Sequence, residues 1–89
     1  MPVLRFTTHL ARHLPAPRLT VPGDTVRAAL EAAFAGDAIL RSYVLDDQGR
    51  LRKHVNIYVD GRLIADRQQL SDPVGPRGEI YVLQALSGG

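Results

Sequence analysis

The stretch Glu79-Ile80-Tyr81-Val82-Leu83-Gln84-Ala85-Leu86 decides how this 89-residue chain folds. A strand with one wet face alternates apolar and polar residues. This run is apolar almost without a break, the pattern of a strand placed in the middle of a sheet. It is the last strand in the chain, so the strands that flank it must come from earlier in the sequence. It is followed directly by Ser87-Gly88-Gly89, where the sequence stops.

Working outward, candidate neighbours lie at the beginning and in the middle. Val3-Leu4-Arg5-Phe6-Thr7-Thr8 puts Leu4 and Phe6 on one face at period two, and Arg18-Leu19-Thr20-Val21 alternates again. His9 to Pro17 joins them, broken by Pro15 and Pro17. Lys53-His54-Val55-Asn56-Ile57-Tyr58-Val59 is a strong strand, with Val55, Ile57 and Val59 facing one way and Asn56 and Tyr58 the other. Asp60-Gly61 then offers the positive φ at both positions that a tight hairpin turn requires, and Arg62-Leu63-Ile64 returns as a short strand. Asp66 to Gly78, with Pro73, Gly75, Pro76 and Gly78, reads as a surface connection.

One segment has a different period. After a cap at Asp24 or Thr25, the residues Val26, Ala29, Leu30, Ala33 and Phe34 follow i, i+3, i+4, i+7, i+8 spacing, which is one apolar stripe on a helix. Arg27 and Glu31 sit four apart on its other side, and Gly36 is a plausible stop. A further helical turn fits Ala38 to Ser42. Asp46-Asp47-Gln48-Gly49, between Tyr43-Val44-Leu45 and Arg50-Leu51-Arg52, has turn chemistry. A helix with one apolar stripe and a sheet with one apolar face satisfy each other as two layers. The expected fold is therefore α+β, in the order β-β-α-β-β: a mixed sheet of four to five strands on one main helix, with the last strand beside the first. This is the β-grasp arrangement. Residues 1–86 form the domain and 87–89 a flexible tail.

Composition narrows the function classes. Without cysteine there is no disulfide, no thiol nucleophile and no thiolate metal ligand. The net charge of +2 comes from scattered Arg and Lys with no aromatic-basic motif, so nucleic acid is not an expected partner. No apolar run reaches the roughly 18 residues of a membrane span, and Met1-Pro2 does not open a signal peptide, so a cytoplasmic location is expected.

On these residues the chain resembles the ubiquitin-like sulfur carrier proteins of the MoaD/ThiS family, across essentially its whole length. That family includes the small subunit of molybdopterin synthase, the thiazole-pathway carrier and the carrier of a cysteine-synthesis route. The resemblance rests on Pro22-Gly23-Asp24-Thr25-Val26-Arg27-Ala28-Ala29-Leu30, on Leu51-Arg52-Lys53-His54-Val55-Asn56-Ile57-Tyr58-Val59-Asp60-Gly61, and on the terminal Gly88-Gly89. Members often have Gly-Asp before the last strand, where this chain has Gly78-Glu79. Their diglycine commonly follows Pro or Ala, where this chain has Ala85-Leu86-Ser87.

The resemblance implies a carrier, not an enzyme, with no catalytic residue and no bound cofactor or metal. An E1-like adenylyltransferase uses ATP to convert the Gly89 carboxylate to an acyl-adenylate. A sulfur donor then displaces AMP and leaves a thiocarboxylate, whose sulfur passes to a downstream enzyme of the molybdopterin, thiazole or cysteine route. The chemistry suits the tail. A C-terminal carboxylate is ionised at neutral pH and unreactive toward nucleophiles until activated. Gly88 and Gly89 lack Cβ and can thread a narrow channel, and three extended residues reach about 10 Å. Ordering such a tail costs about 1–2 kcal/mol per residue, so the folded body must contribute docking energy. Tyr58, Tyr81 and Leu83, on the sheet face beside the last strand, are the candidate docking residues. The free protein is expected to be a monomer. The same residues also fit a ubiquitin-like modifier conjugated through Gly89, or a non-covalent interaction module.

Other motifs are weaker. His9 and His13 lie four apart among prolines, with no further ligand beside them, and read as loop residues, as His54 reads as solvated or capping. Val74-Gly75-Pro76-Arg77-Gly78 lacks the Gly-Lys-Ser/Thr ending of a phosphate loop. Arg50, Arg52 and Lys53 read as a solvated basic face, with a docking patch for an acidic partner as the alternative.

Overall fold

A computed structural model describes residues 1–6 and 18–84 of the chain. The expected connection from Thr7 to Pro17, with His9 and His13, and the segment from Ala85 to Gly89 lie outside the described residues. Among the described residues, five strands and two helices run in the order β1 (Val3–Phe6), β2 (Arg18–Thr20), α1 (Val26–Phe34), α2 (Ala38–Val44), β3 (Val55–Val59), β4 (Arg62–Leu63) and β5 (Glu79–Gln84). The sheet order is β2-β1-β5-β3-β4. The last strand is central, parallel to β1 and antiparallel to β3. The β3–β4 hairpin falls where turn chemistry puts it, with Asp60 at φ 50° and Gly61 at φ 83° between the two strands.

Among the described residues, only one face of β5 is covered. Ile80 and Val82 are fully buried with Leu4, Val55 and Ile57 beneath the helices, whereas Tyr81 on the other face is 38% exposed. The strand is central, as its apolar run suggests, yet its second face is not closed over by the described residues.

Helix α1 starts where Thr25 accepts a hydrogen bond from the Ala28 N–H at 3.1 Å, which makes Thr25 the cap and leaves Asp24 outside it. Val26, Ala29, Leu30 and Phe34 are buried as the stripe predicts, and Phe34 meets Phe6 with ring centroids 6.4 Å apart. Gly36 takes φ +81° just beyond the helix, the left-handed stop expected of it. The expected turn from Ala38 to Ser42 is a full helix that runs on through Tyr43 and Val44, capped by Asp37 accepting from the Leu40 N–H. Leu40 and Val44 join the core.

Two expectations are corrected. The Arg27–Glu31 pair does not form. Arg27 instead donates to the carbonyls of Gly49, Gln68 and Gln69, and Glu31 pairs with Arg41 at 3.2 Å. Three carbonyls within reach of one guanidinium outweigh a surface pair in the less favourable order. The segment from Asp66 to Gly78 is also more than a surface connection, because Leu70 and Val74 are buried in the core. It docks on α1: the Val26 and Arg27 N–H groups donate to the carbonyls of Asp72 and Leu70, and Val74 N–H donates to Asp24 O. A helix N-terminus leaves N–H groups without partners, and here this segment supplies them.

Asp66 holds the segment together. One carboxylate oxygen accepts from the Gln68 and Gln69 N–H groups, the other from the Ser71 N–H and hydroxyl. The Ser71 hydroxyl, at 2.6 Å, is the main reason the Asp66 carboxyl titrates at about 2. No helix among the described residues is long and apolar enough to cross a membrane.

Candidate functional site

Pairing register assembles the uncovered face. Tyr58 lies opposite both Tyr81 on β5 and Leu63 on β4; Tyr81 lies opposite Arg5 on β1; and Arg5 lies opposite Arg18 on β2. One row of side chains thus crosses all five strands: Arg18, Arg5, Tyr81, Tyr58, Leu63. In the next row Asn56 faces Leu83. The three residues singled out from alternation, Tyr58, Tyr81 and Leu83, do share a face. Together with Gly61 and Glu79 they line an open depression of about 400 Å³.

Residues that alternation could have revealed, but that were not singled out, complete the surface. Leu63 is 56% exposed at the edge of the row. Arg5 reaches Glu79 at 3.5 Å, and Arg5, Phe6, Arg18 and Tyr81 line an adjoining depression. The signal was the period-two placement of Arg5 opposite Leu4 and Phe6.

The root of the tail is set by the same strand. Gln84 pairs with Val55, at the end of the sheet where β1 finishes and β3 begins. Asp60 fixes the opposite end of β5, its side chain accepting from the Glu79 N–H at 2.9 Å and its own N–H donating to Glu79 O. Gly88 and Gly89 lie outside the described residues.

A larger depression, about 510 Å³, lies at the β4 edge and includes Asp60, Arg62 and Asp72. Its carboxylates already serve the fold. Asp72 accepts from the Ala65 and Asp66 N–H groups, and Asp60 from Glu79. No cluster of three His, Cys, Asp or Glu side chains that could hold a metal occurs among the described residues.

The sequence matches no family model and no curated protein. Solved structures do match. The small archaeal modifier protein SAMP1 of Haloferax volcanii superposes with a TM-score of 0.78 at 28% identity, covering 99% of this chain and 98% of that one. It has the fold of the small ubiquitin-like modifiers. A chain of the Amycolatopsis orientalis BexX/CysO complex superposes at a TM-score of 0.86 and 19% identity, with 100% of each chain covered. The Mycobacterium tuberculosis antigen CysO gives 0.82 at 21% identity, covering 97% of this chain and 100% of that one. Each neighbour is matched over nearly its full length, so the five-stranded β-grasp accounts for all of this chain's described body.

Proposed function

We propose that this protein is a sulfur carrier of the MoaD/ThiS type and not itself an enzyme. An E1-like adenylyltransferase activates the Gly89 carboxylate with ATP. The carboxylate oxygen bonds to the α-phosphorus and pyrophosphate leaves. A sulfur donor then bonds to the Gly89 carbonyl carbon, the C–O bond to AMP breaks, and a thiocarboxylate remains for a downstream enzyme. Gly88 gives the chain end access to the partner's channel, and Tyr58, Tyr81 and Leu83 dock the body. The observation that carries this reading is the position of β5. The strand flanked on both sides leads straight into Ala85–Gly89, so a reactive end there has a rigid root, and the exposed aromatic face begins beside it.

The likeness to SAMP1 favours a second reading, a modifier joined through Gly89 to an amine of a target protein. Both readings share the adenylation step. Intact-mass measurement separates them after incubation with the E1-like enzyme of the same genome, ATP and sulfide. Exchange of one oxygen for sulfur at Gly89 supports the carrier. Higher-mass conjugates without that exchange support the modifier. A chain unchanged by ATP leaves a non-covalent interaction module. The same spectrum, taken on protein from its native cells, shows whether Gly89 is the mature end. Pathway follows from which enzyme accepts the sulfur.

A further inference from the structure

The uncovered sheet face is electrically lopsided. Arg5 and Arg18 stand directly opposite each other on adjacent strands, an arrangement in which like charges repel. Glu79 answers Arg5, its Oε1 lying 3.5 Å from the Arg5 Nε in an ion pair that is not a hydrogen bond. Arg18 is exposed and has no ion-pair partner among the described residues. Arg67 adds a third cation at the other side, held against Asn56 Oδ1 at 3.0 Å and the Arg52 carbonyl at 2.8 Å, neither of which neutralises it. Among the described residues, three Arg and one Glu give this face a surplus of two, as large as the net charge of the whole chain. Between the cations lies the apolar depression of Tyr58, Tyr81 and Leu83.

We infer that this face selects an activating partner with an acidic rim, one that sets carboxylates against Arg18 and Arg5 and an apolar side chain into the Tyr58–Tyr81–Leu83 depression. The two ends of the row differ, with cations on β2 and β1 and apolar groups on β5, β3 and β4. A complementary partner can therefore seat in one rotation only, the one that brings its active site to the Gln84 end. Interface charges act chiefly on encounter and register, and an exposed cation such as Arg18 is well suited to both. The inference rests on the carrier reading, since it assigns the chemistry of the enzyme that activates Gly89.

The test measures ATP–pyrophosphate exchange by the genome's own E1-like enzyme, with this protein as the varied substrate. Arg18→Glu and the double variant Arg5→Glu/Arg18→Glu are expected to raise KM about tenfold or more, with kcat within about twofold of the parent. Arg77→Glu changes net charge equally at an exposed turn position that lines neither depression, and is expected to leave KM within about twofold. Added salt raises the parent's KM and flattens that of the double variant. Tyr81→Ala raises KM without changing the salt response. Unchanged KM in the Arg variants, or an equal rise in Arg77→Glu, overturns the inference while leaving Gly89 activation intact. A parent protein that supports no exchange overturns the carrier reading, and the inference falls with it.

Discussion

The two faces of β5 differ in every respect that matters, although their residues alternate along one strand. On the inner face Ile80 and Val82 are fully buried under α1 and α2. On the outer face Tyr81 stays 38% exposed and Glu79 exposed beside it. The difference lies in what covers each face, not in hydrophobicity. The helices and the Asp66–Gly78 segment close over one side, and nothing among the described residues closes over the other. A large apolar group left open on a sheet face is available for contact with a partner, whereas the same group one residue along holds the domain up.

Breaking the inner face has the largest expected effect. Ile80→Ala leaves a cavity at a fully buried position and is expected to lower unfolding free energy by about 2–5 kcal/mol, read from the urea midpoint at constant m-value. If it falls well short, the two faces are less distinct than packing indicates. The cover is next. Thr25→Ala removes the α1 cap and is expected to cost about 1 kcal/mol by the same measurement. Acid loosens the other part of the cover. Asp66 has a folded-state pKa of about 2 against an ordinary value of 3.8, so its contribution is complete above the ordinary value. It is lost as pH falls from near 4 through about 2. Asp66→Asn is expected to flatten that part of the stability–pH curve, and an unaltered slope contradicts the role given to this carboxylate. The smallest effect falls on the outer face. Leu63→Ala, at 56% exposure, is expected to move stability by no more than ~0.5 kcal/mol, and a larger loss would show that the outer row is structural.

Sequence alone revealed elements with a clear period or a stereochemical requirement. The α1 stripe, the β3 alternation and the positive-φ pair Asp60-Gly61 all fall where expected. β5 was placed correctly because a double-sided apolar run excludes an edge, though the reason proved to be exposure on one side. Leu70 and Val74 escaped because single apolar residues among Gly and Pro carry no period. They are buried by contacts with α1, which lies some forty residues earlier. The partners of Arg27 escaped for a similar reason, since backbone carbonyls brought close by folding leave no mark in sequence. Of the candidate site, Tyr58, Tyr81 and Leu83 were legible from alternation. Alternation also put Arg5 on that face, but setting it opposite Arg18 needed register, which alternation within single strands does not supply.

The pairing of β1 with β5 has a consequence for how the molecule comes into being. Val3 meets Glu79 and Phe6 meets Val82, so the sheet's middle is closed by joining segments separated by nearly the full length of the chain. Contacts of such long sequence separation slow folding. On the ribosome, β1 and β3 emerge with no strand between them, and they stay unjoined until β5 follows. The body and the root of the tail therefore appear in the same event. A copy synthesised only as far as Gly78 lacks the strand that pairs with both β1 and β3, so its two half-sheets share no backbone ladder.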